Sequence, residues 1–328
     1  MSLRIIKAGI LDTVQDAGRF GYRHLGVNNS GAMDVYALQI GNALVGNPPD
    51  TPAIEMHFPA SSFFFEEPAL IAITGADFSP TLNAEPIPVT QPVLVSKFSI
   101  LQFEKLKKGA RAYLSVRRGL DLKPWLGSAS THLKAGAGGF EGRAFQKDDL
   151  IKIFPLDTPA LQKLGKEEFV ILPWKADDQR QNGQAEVMAL HGHEWDRLTA
   201  ASAERFSRQT FMISPHSDRM GYHLQADPLA MMRREEIISA GVGFGTVQLL
   251  PDGKLIVLMA DHQTTGGYPR VAHVINAHHG RLAQLKPGDT VQFRFTDQAT
   301  AEELLVKQQQ HLHQLQFSCS LRLEEYLR

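Results

Sequence analysis

The chain has 328 residues, 43% hydrophobic and 21% charged, with a formal net charge of −1. That is enough apolar material for two domains, with no basic stripe for nucleic acid and no acidic run of a disordered tail. A single cysteine, Cys319, excludes an internal disulfide and a thiolate metal cluster. The apolar runs are too short to span a membrane and the start lacks a signal-peptide core, so the expected location is cytoplasmic.

In chain order, the first predicted helix covers 33–45, with Met33, Ala37, Ile40 and Leu44 at helical spacing and Gly46-Asn47-Pro48-Pro49 as its stop. Residues 69–74 form an apolar strand ending at the turn Thr74-Gly75-Ala76-Asp77. Further strands are predicted at 111–116, 150–154, 168–172 and 186–190. A second helix is predicted at 195–207, with Trp195, Leu198 and Phe206 on one face. Strands follow at 210–214, 255–259 and 291–295, the last after the turn Pro287-Gly288-Asp289. The end, 297–326, reads as a helix through Leu304, Leu305, Leu312 and Leu315. Many short strands with regular turns argue for barrels or sandwiches, a mainly β fold with a few helices and a C-terminal helix. The polar run 177–185 is the expected linker, giving a β-rich half over 1–180, a second β half over 181–300 and a helical tail over 301–328. Thr13-Val14-Gln15 echoes Thr246-Val247-Gln248, and Arg19-Phe20-Gly21-Tyr22 echoes Arg219-Met220-Gly221-Tyr222. The two echoes run in opposite order, so coincidence is the better reading.

Four segments concentrate polar residues and glycine between strands. In the first, Asn28, Asn29, Ser30 and Asp34 precede or open the first helix, where unpaired backbone N–H groups favour an anion. Ligand positioning by Asn28, Asn29, Ser30 and Asp34, with Asp34 a candidate catalytic carboxylate, is the functional reading; capping by Ser30 and dipole complementation by Asp34 are the plainer roles. In the second, Ser128, Ser130 and Thr131 lead into the glycine run 135–143, whose backbone can approach a ligand closely. The third offers Asp218 and Arg219, a carboxylate beside a planar fork suited to a carboxylate or phosphate, or a structural ion pair. The fourth follows an apolar strand with Asp261, Gln263, Thr264 and Thr265, then Gly266, Gly267 and Tyr268. There Gln263 suits an amide and Asp261 a general base if desolvated, while Gly266-Gly267 permits a tight turn beside a ligand. Neither a nucleophile elbow nor a zinc-binding helix is present, and the histidine pairs at 191/193, 278/279 and 311/313 are expected to hold no metal.

The same segments carry a resemblance. The runs Gly9-x-x-x-Thr13-Val-Gln-Asp-x-Gly-Arg19, Gly26-Val-x-x-Ser-Gly-Ala-Met-Asp34 and Leu44-Val-Gly-Asn47 resemble the start of the biotin-dependent carboxyltransferase-like family. Leu126-Gly-Ser-x-Ser-Thr131, Gly138-Gly-Phe-x-Gly-Arg143, Ser217-Asp-Arg-Met-Gly221 and Asp261-x-Gln-Thr-Thr-Gly-Gly-Tyr-Pro269 extend the likeness to about residue 295. That family includes the C-type component of 5-oxoprolinase, the KipA antagonist and the carboxyltransferase part of urea carboxylase, and was long known as the second subunit of allophanate hydrolase. The resemblance implies two cyclophilin-like β-barrel halves. It implies a hetero-oligomer with the B-type component of 5-oxoprolinase, or a KipI-like chain, and with a third, A-type component. It also implies ATP-driven opening of the 5-oxoproline lactam to glutamate, with ATP shared among the chains of the complex. Two alternatives stay open: a urea carboxylase-like carboxyltransferase using biotin on a separate carrier, and a KipA-like regulator that binds a KipI-like inhibitor of a sensor kinase. The chain departs from the family pattern at Arg117-Arg118-Gly119, Lys147-Asp148-Asp149 and His191-Gly192-His193.

Overall fold

The computed structural model describes residues 2–156, 158–177, 185–233 and 237–327. It is mainly β, with five α-helices among the described residues. Most of the expected linker, 178–184, lies outside the described residues. By internal contacts the chain divides into an N-terminal unit (1–19, 34–179 and 310–328) and a C-terminal unit (20–33 and 180–309). Among the described residues no helix is long and apolar enough to cross a membrane.

In the N-terminal unit two six-stranded sheets enclose one core. The first runs in the order Leu150–Lys152, Ser2–Lys7, Ser62–Phe65, Ile100–Phe103, Pro80–Leu82 and Glu85–Pro86. The second runs Phe169–Ile171, Pro92–Val95, Ala69–Asp77, Lys108–Val116, Ala53–His57 and Thr13–Gln15. Alternation decides which side chains turn inward: Leu3 and Ile5, facing Phe65 and Phe63 across antiparallel strands, are fully buried, while Lys7 is exposed. Helix α1 (Val35–Leu44) begins after Asp34, whose carboxylate accepts from the Ala37 N–H at 3.0 Å. It is buried on nearly all sides, against the strands Ala69–Asp77 and Lys108–Val116. A Cβ on Gly41 would sit 2.6 Å from Ser115 Oγ, so this glycine sets how closely helix and sheet approach. Helix α2 covers Thr158–Leu164.

In the C-terminal unit seven strands close a barrel in the order Ala185–His191, Arg270–Val274, Thr246–Leu249, Leu255–Leu258, Gly221–Gln225, Phe211–Ile213 and Thr290–Phe295. Closure leaves no free edge. Val187, Val247, Val257, Phe211 and Phe293 fill the interior, and Phe206 of helix α3 (Ala200–Arg208) joins them. A 3₁₀ turn at Trp195–Arg197 precedes α3, so the helix expected over 195–207 is two elements. Thr199 interrupts it as an N-cap, accepting from Ser202 N–H at 3.2 Å. A short α4 covers His279–Ala283. Helix α5 runs over Gln298–Leu327, and in its final part Cys319 and Leu323 are buried with Tyr36, Ile40 and Leu44 of the N-terminal unit.

Candidate functional site

Pairing in the barrel sets up the site. The strands Gly221–Gln225 and Leu255–Leu258 are antiparallel, with Gly221 opposite Leu258. The residues before the first and after the second therefore face each other, which brings Arg219 beside Asp261; the Asp261 N–H also donates to the Arg219 carbonyl at 2.8 Å. Arg219 grips the carboxylate with its fork, Nε to Oδ2 at 2.9 Å and Nη2 to Oδ1 at 3.2 Å. Their side chains are only 5% and 10% exposed. Buried to that degree, each charge depends on the other for compensation.

Onto this pair folds the segment 28–31 of the same unit. Ser30, at φ 52°, donates from Oγ to Asp261 Oδ1 at 2.7 Å, and Arg219 Nη2 donates to the Gly31 carbonyl at 2.6 Å. Asn28 Nδ2 donates to the Asp261 carbonyl at 2.9 Å. That bond fixes the orientation of the Asn28 amide and leaves Oδ1 as the atom turned away. Both Asn28 Oδ1 and Asn29 Oδ1 are buried and accept no hydrogen bond among the described residues. Two neighbouring carbonyl oxygens out of water with no donor call for N–H groups from elsewhere. Arg23 holds the segment further along by donating to the carbonyls of Val242 and Thr264.

Several predicted residues take different parts from those expected. Asp218 accepts from the N–H groups of Met220 (2.7 Å) and Gly221 (3.2 Å), a local turn bond, while Arg219 serves Asp261 and so is not presented to an external phosphate. Thr265-Gly266 is a short strand paired with Ala240–Gly241, and not a tight turn. A Cβ on Gly266 would lie 2.6 Å from Gln248 Nε2, so glycine there lets the ribbon rest on a buried glutamine. Thr265, Gly267 and Tyr268 are exposed, and Gln263 is half-buried with no side-chain hydrogen bond among the described residues. Sequence reading passes over His262, which is 3% exposed. Burial lowers its pKa, and its Nδ1 bonds the Gln263 carbonyl at 2.5 Å, so the ring is neutral with Nε2 as its remaining acceptor. A lone histidine has no spacing partner to mark it.

The other predicted residues belong to the N-terminal unit. Asp34 is fully buried as the cap of α1, and its N–H donates to the Tyr113 hydroxyl at 2.8 Å. Tyr113 donates in turn to Glu55 at 2.7 Å, and burial raises its pKa. Ser30 is thus not the helix cap; Asp34 is. Ser128 and Ser130 both donate to Asp16 Oδ1, at 2.7 and 2.5 Å, and the Ala129 N–H donates to Oδ2 at 2.6 Å. Thr131 Oγ1 donates to the Val14 carbonyl at 3.0 Å. Sequence reading misses Asp16 as the organising group because its partners lie 112–114 positions away. Three of the glycines that follow approach their own chain: a Cβ on Gly138 would overlap the Ser130 carbonyl, one on Gly139 the Thr131 side chain and one on Gly142 the Gly136 backbone, while Gly136 faces open space. At Gly138, Gly139 and Gly142 the freedom of glycine serves the packing of this loop. Both Thr-Val-Gln runs are fully buried strand segments, and Gln15 and Gln248 each keep a buried Oε1 without a partner among the described residues. No group of three or more His, Cys, Asp or Glu suited to a metal ion occurs among the described residues.

Comparison with known proteins agrees with this architecture. Residues 25–295 match the model of the carboxyltransferase domain, subdomain A and B. The chain is 35% identical to the C-type component of the 5-oxoprolinase of Escherichia coli K12, covering 95% of this chain and 97% of that one. It is 30% identical to urea amidolyase of Saccharomyces cerevisiae over 89% of its own length but only 16% of that protein. The crystal structure of the Kluyveromyces lactis urea amidolyase superposes with a TM-score of 0.85 at 26% identity, over 96% of this chain and 20% of that one.

Proposed function

Since this chain belongs to the carboxyltransferase-domain family, subdomains A and B, we propose that it is the amide-recognising component of an ATP-dependent 5-oxoprolinase. Together with the A-type and B-type components it opens the 5-oxoproline lactam to glutamate. The reading is supported by 35% identity to a 5-oxoprolinase component along 97% of that relative's length. One structural observation carries it to the site: the Oδ1 atoms of Asn28 and Asn29 are buried acceptors awaiting donors. A lactam supplies such a donor in its ring N–H.

In this reading Asn28 and Asn29 bind the amide edge, and Gln263, with an uncommitted side-chain amide, contributes a further donor and acceptor. Ser30, Arg219 and Asp261 are positioning residues. Both carboxylate oxygens of Asp261 are taken up by the bidentate guanidinium and the Ser30 hydroxyl, which makes this residue an anchor and not a proton acceptor. His262, neutral and adjacent in sequence, is the proposed proton acceptor of the cluster. Thr264, Thr265, Gly266, Gly267 and Tyr268 shape the approach, and Ser128, Ser130 and Thr131 maintain the loop held by Asp16. Hydrolysis breaks the lactam C–N bond and adds water across it, and coupling to ATP supplies the driving force. The Asn28–Asp261 cluster does not suit a triphosphate, since its guanidinium is committed to Asp261.

A second reading, a urea carboxylase-like carboxyltransferase acting with biotin on a separate carrier, is favoured by the fold match at TM-score 0.85. Urea also presents N–H donors, so the same asparagines serve both. The test is ATP-dependent glutamate release from 5-oxoproline by the co-expressed complex, with Asn28→Ala and Asn29→Ala. The expected result is a KM for 5-oxoproline raised about tenfold, equivalent to losing ~1.4 kcal/mol of binding, in complexes that assemble normally. Unchanged KM in both variants refutes the assigned site. Urea-dependent ATP turnover, without glutamate release, establishes the second reading.

A further inference from the structure

The turn that follows the strand Leu255–Leu258 is tied down one backbone group at a time. The Asp261 N–H donates to the Arg219 carbonyl at 2.8 Å, and the His262 N–H to the Met259 carbonyl at 3.1 Å. The Asp261 carbonyl accepts from Asn28 Nδ2 at 2.9 Å, and the Gln263 carbonyl meets His262 Nδ1 at 2.5 Å. The Thr264 carbonyl accepts from the Val242 N–H at 3.3 Å and from Arg23 Nη2 at 3.1 Å. The same Nη2 donates to the Val242 carbonyl. Asn28 and Arg23, both from the segment 20–33, therefore hold the turn at its two ends. The amide reading gives Asn28 a task and leaves Arg23 without one.

Arg23 is half-buried, on a 3₁₀ turn over Arg23–Leu25 that Gly26 closes at φ 79°. It forms no ion pair among the described residues, and its guanidinium is committed to carbonyls. Carbonyls orient a guanidinium without neutralising it. His262 is 3% exposed, so little water screens its ring from a charge nearby. Two charged groups face that ring, Arg23 and Asp261. The charge of Asp261 is held by the Arg219 fork and the Ser30 hydroxyl, while that of Arg23 has no carboxylate across from it. Burial acts first and lowers the His262 pKa; the Gln263 carbonyl raises it, Arg23 lowers it and Asp261 raises it.

We propose that Arg23 is a positioning residue for His262: it pins the Thr264 carbonyl so that the preceding Gln263 carbonyl stays on Nδ1, and it sets an unneutralised positive charge beside the turn. The bond at Nδ1 fixes the tautomer and leaves the lone pair on Nε2. The charge opposes a second cation on the ring, which keeps that lone pair open to a proton down to lower pH. The inference rests on the assignment of His262 as the proton acceptor, and it gives Arg23 a part in the reaction without contact to substrate.

Two readouts test it, one of them independent of catalysis. The His262 ring is titrated by proton NMR in the full chain, its signal identified as the one missing from His262→Gln. In the co-expressed complex, kcat/KM for 5-oxoproline is measured between about pH 5.5 and 8.5. Arg23→Gln still offers an amide donor to the carbonyls but carries no charge, and Arg23→Lys keeps the charge; both should fold, which their melting temperatures verify. The expected result for Arg23→Gln is a ring that takes its proton at higher pH than in the wild type. Its kcat/KM at pH 6 should fall about twofold or more relative to pH 8, and Arg23→Lys should restore both readouts. A ring titration unmoved in Arg23→Gln overturns the proposal, as does an equal loss of kcat/KM at every pH in both variants, the mark of a purely structural arginine. A ring titration that moves while the rate profile stays fixed supports the hold of Arg23 on the ring and refutes instead His262 as the proton acceptor.

Discussion

Replacing Arg219 with methionine is the sharpest test of how the candidate site is held. The substitution keeps a long apolar stem but removes the fork that binds Asp261 at 2.9 and 3.2 Å and the Gly31 carbonyl at 2.6 Å. Asp261, 10% exposed, then retains the Ser30 hydroxyl as its remaining charge-compensating contact at this end. Breaking a buried pair from one side costs ~3–5 kcal/mol, mostly from the charge left uncompensated. Because water reaches a tenth of the Asp261 side chain, the expected loss is about 3 kcal/mol, roughly a hundredfold in the unfolding equilibrium. Arg219→Lys, which keeps the charge but not the planar fork, should cost about 1–2 kcal/mol. In the double variant Arg219→Met/Asp261→Leu neither charge is stranded, so its loss should fall short of the summed single losses by at least ~1 kcal/mol. The assay is urea denaturation of the full chain, with the fluorescence of Trp195, packed against the barrel core, reporting this unit. A loss below ~1 kcal/mol for Arg219→Met, or additive single losses, would refute the coupled-pair account.

Asp16→Ala removes the carboxylate that accepts from Ser128, Ser130, Ala129 and Gly18. It should cost about 3 kcal/mol and speed proteolysis within 126–143, since several buried donors lose their acceptor at once. The conformational cost of the glycine loop should depend on position. Gly142→Ala, at φ +67 and overlapping the Gly136 backbone, should lower the melting temperature several times more than Gly136→Ala, which sits at φ +59 in open space and should cost about 1–2 kcal/mol. His278 is 5% exposed, and its Nδ1 accepts the Met188 N–H at 2.8 Å, which only the neutral ring does. Burial first, then nearby Arg281 and His279, lower its pKa to about 4. The unfolded chain binds the proton at about pH 6.5, so between pH 6.5 and 4 it holds more protons than the folded one, and stability falls as pH drops through that window. The loss from this residue is about 3 kcal/mol. His278→Gln should flatten that slope in denaturation midpoints measured at pH 7 and 4.5; an unchanged slope would remove His278 as its source.

Local signals are most legible where they are self-contained. The stop at Gly46-Asn47-Pro48-Pro49 ends α1 within two residues of its expected boundary, because glycine and proline act on the backbone whatever surrounds them. The apolar runs at 69–74 and 255–259 are strands because period and side-chain branching are carried by consecutive residues. The helix expected over 195–207 is too long because Thr199 competes as a cap inside an otherwise apolar period. The four polar segments are also visible, since strand-end loops dense in hydrogen-bonding groups differ in composition from the strands.

What the chain carries locally, then, is the β class, the punctuation of its elements, the family motifs and the location of the polar clusters. Which residues within a cluster meet is decided by tertiary structure. Arg219 has the adjacent Asp218 as its obvious partner, yet strand pairing sets Asp261, 42 positions away, within reach of its fork. Asp16 gathers serines more than 110 positions distant, and Gly138, Gly139 and Gly142 leave room for the chain itself, while Gly136 stands in open space. Hydrogen bonds and ion pairs form between groups a few ångströms apart in space. Sequence separation measures distance along a chain, and only the closure of the barrel and the packing of the sheets convert one into the other.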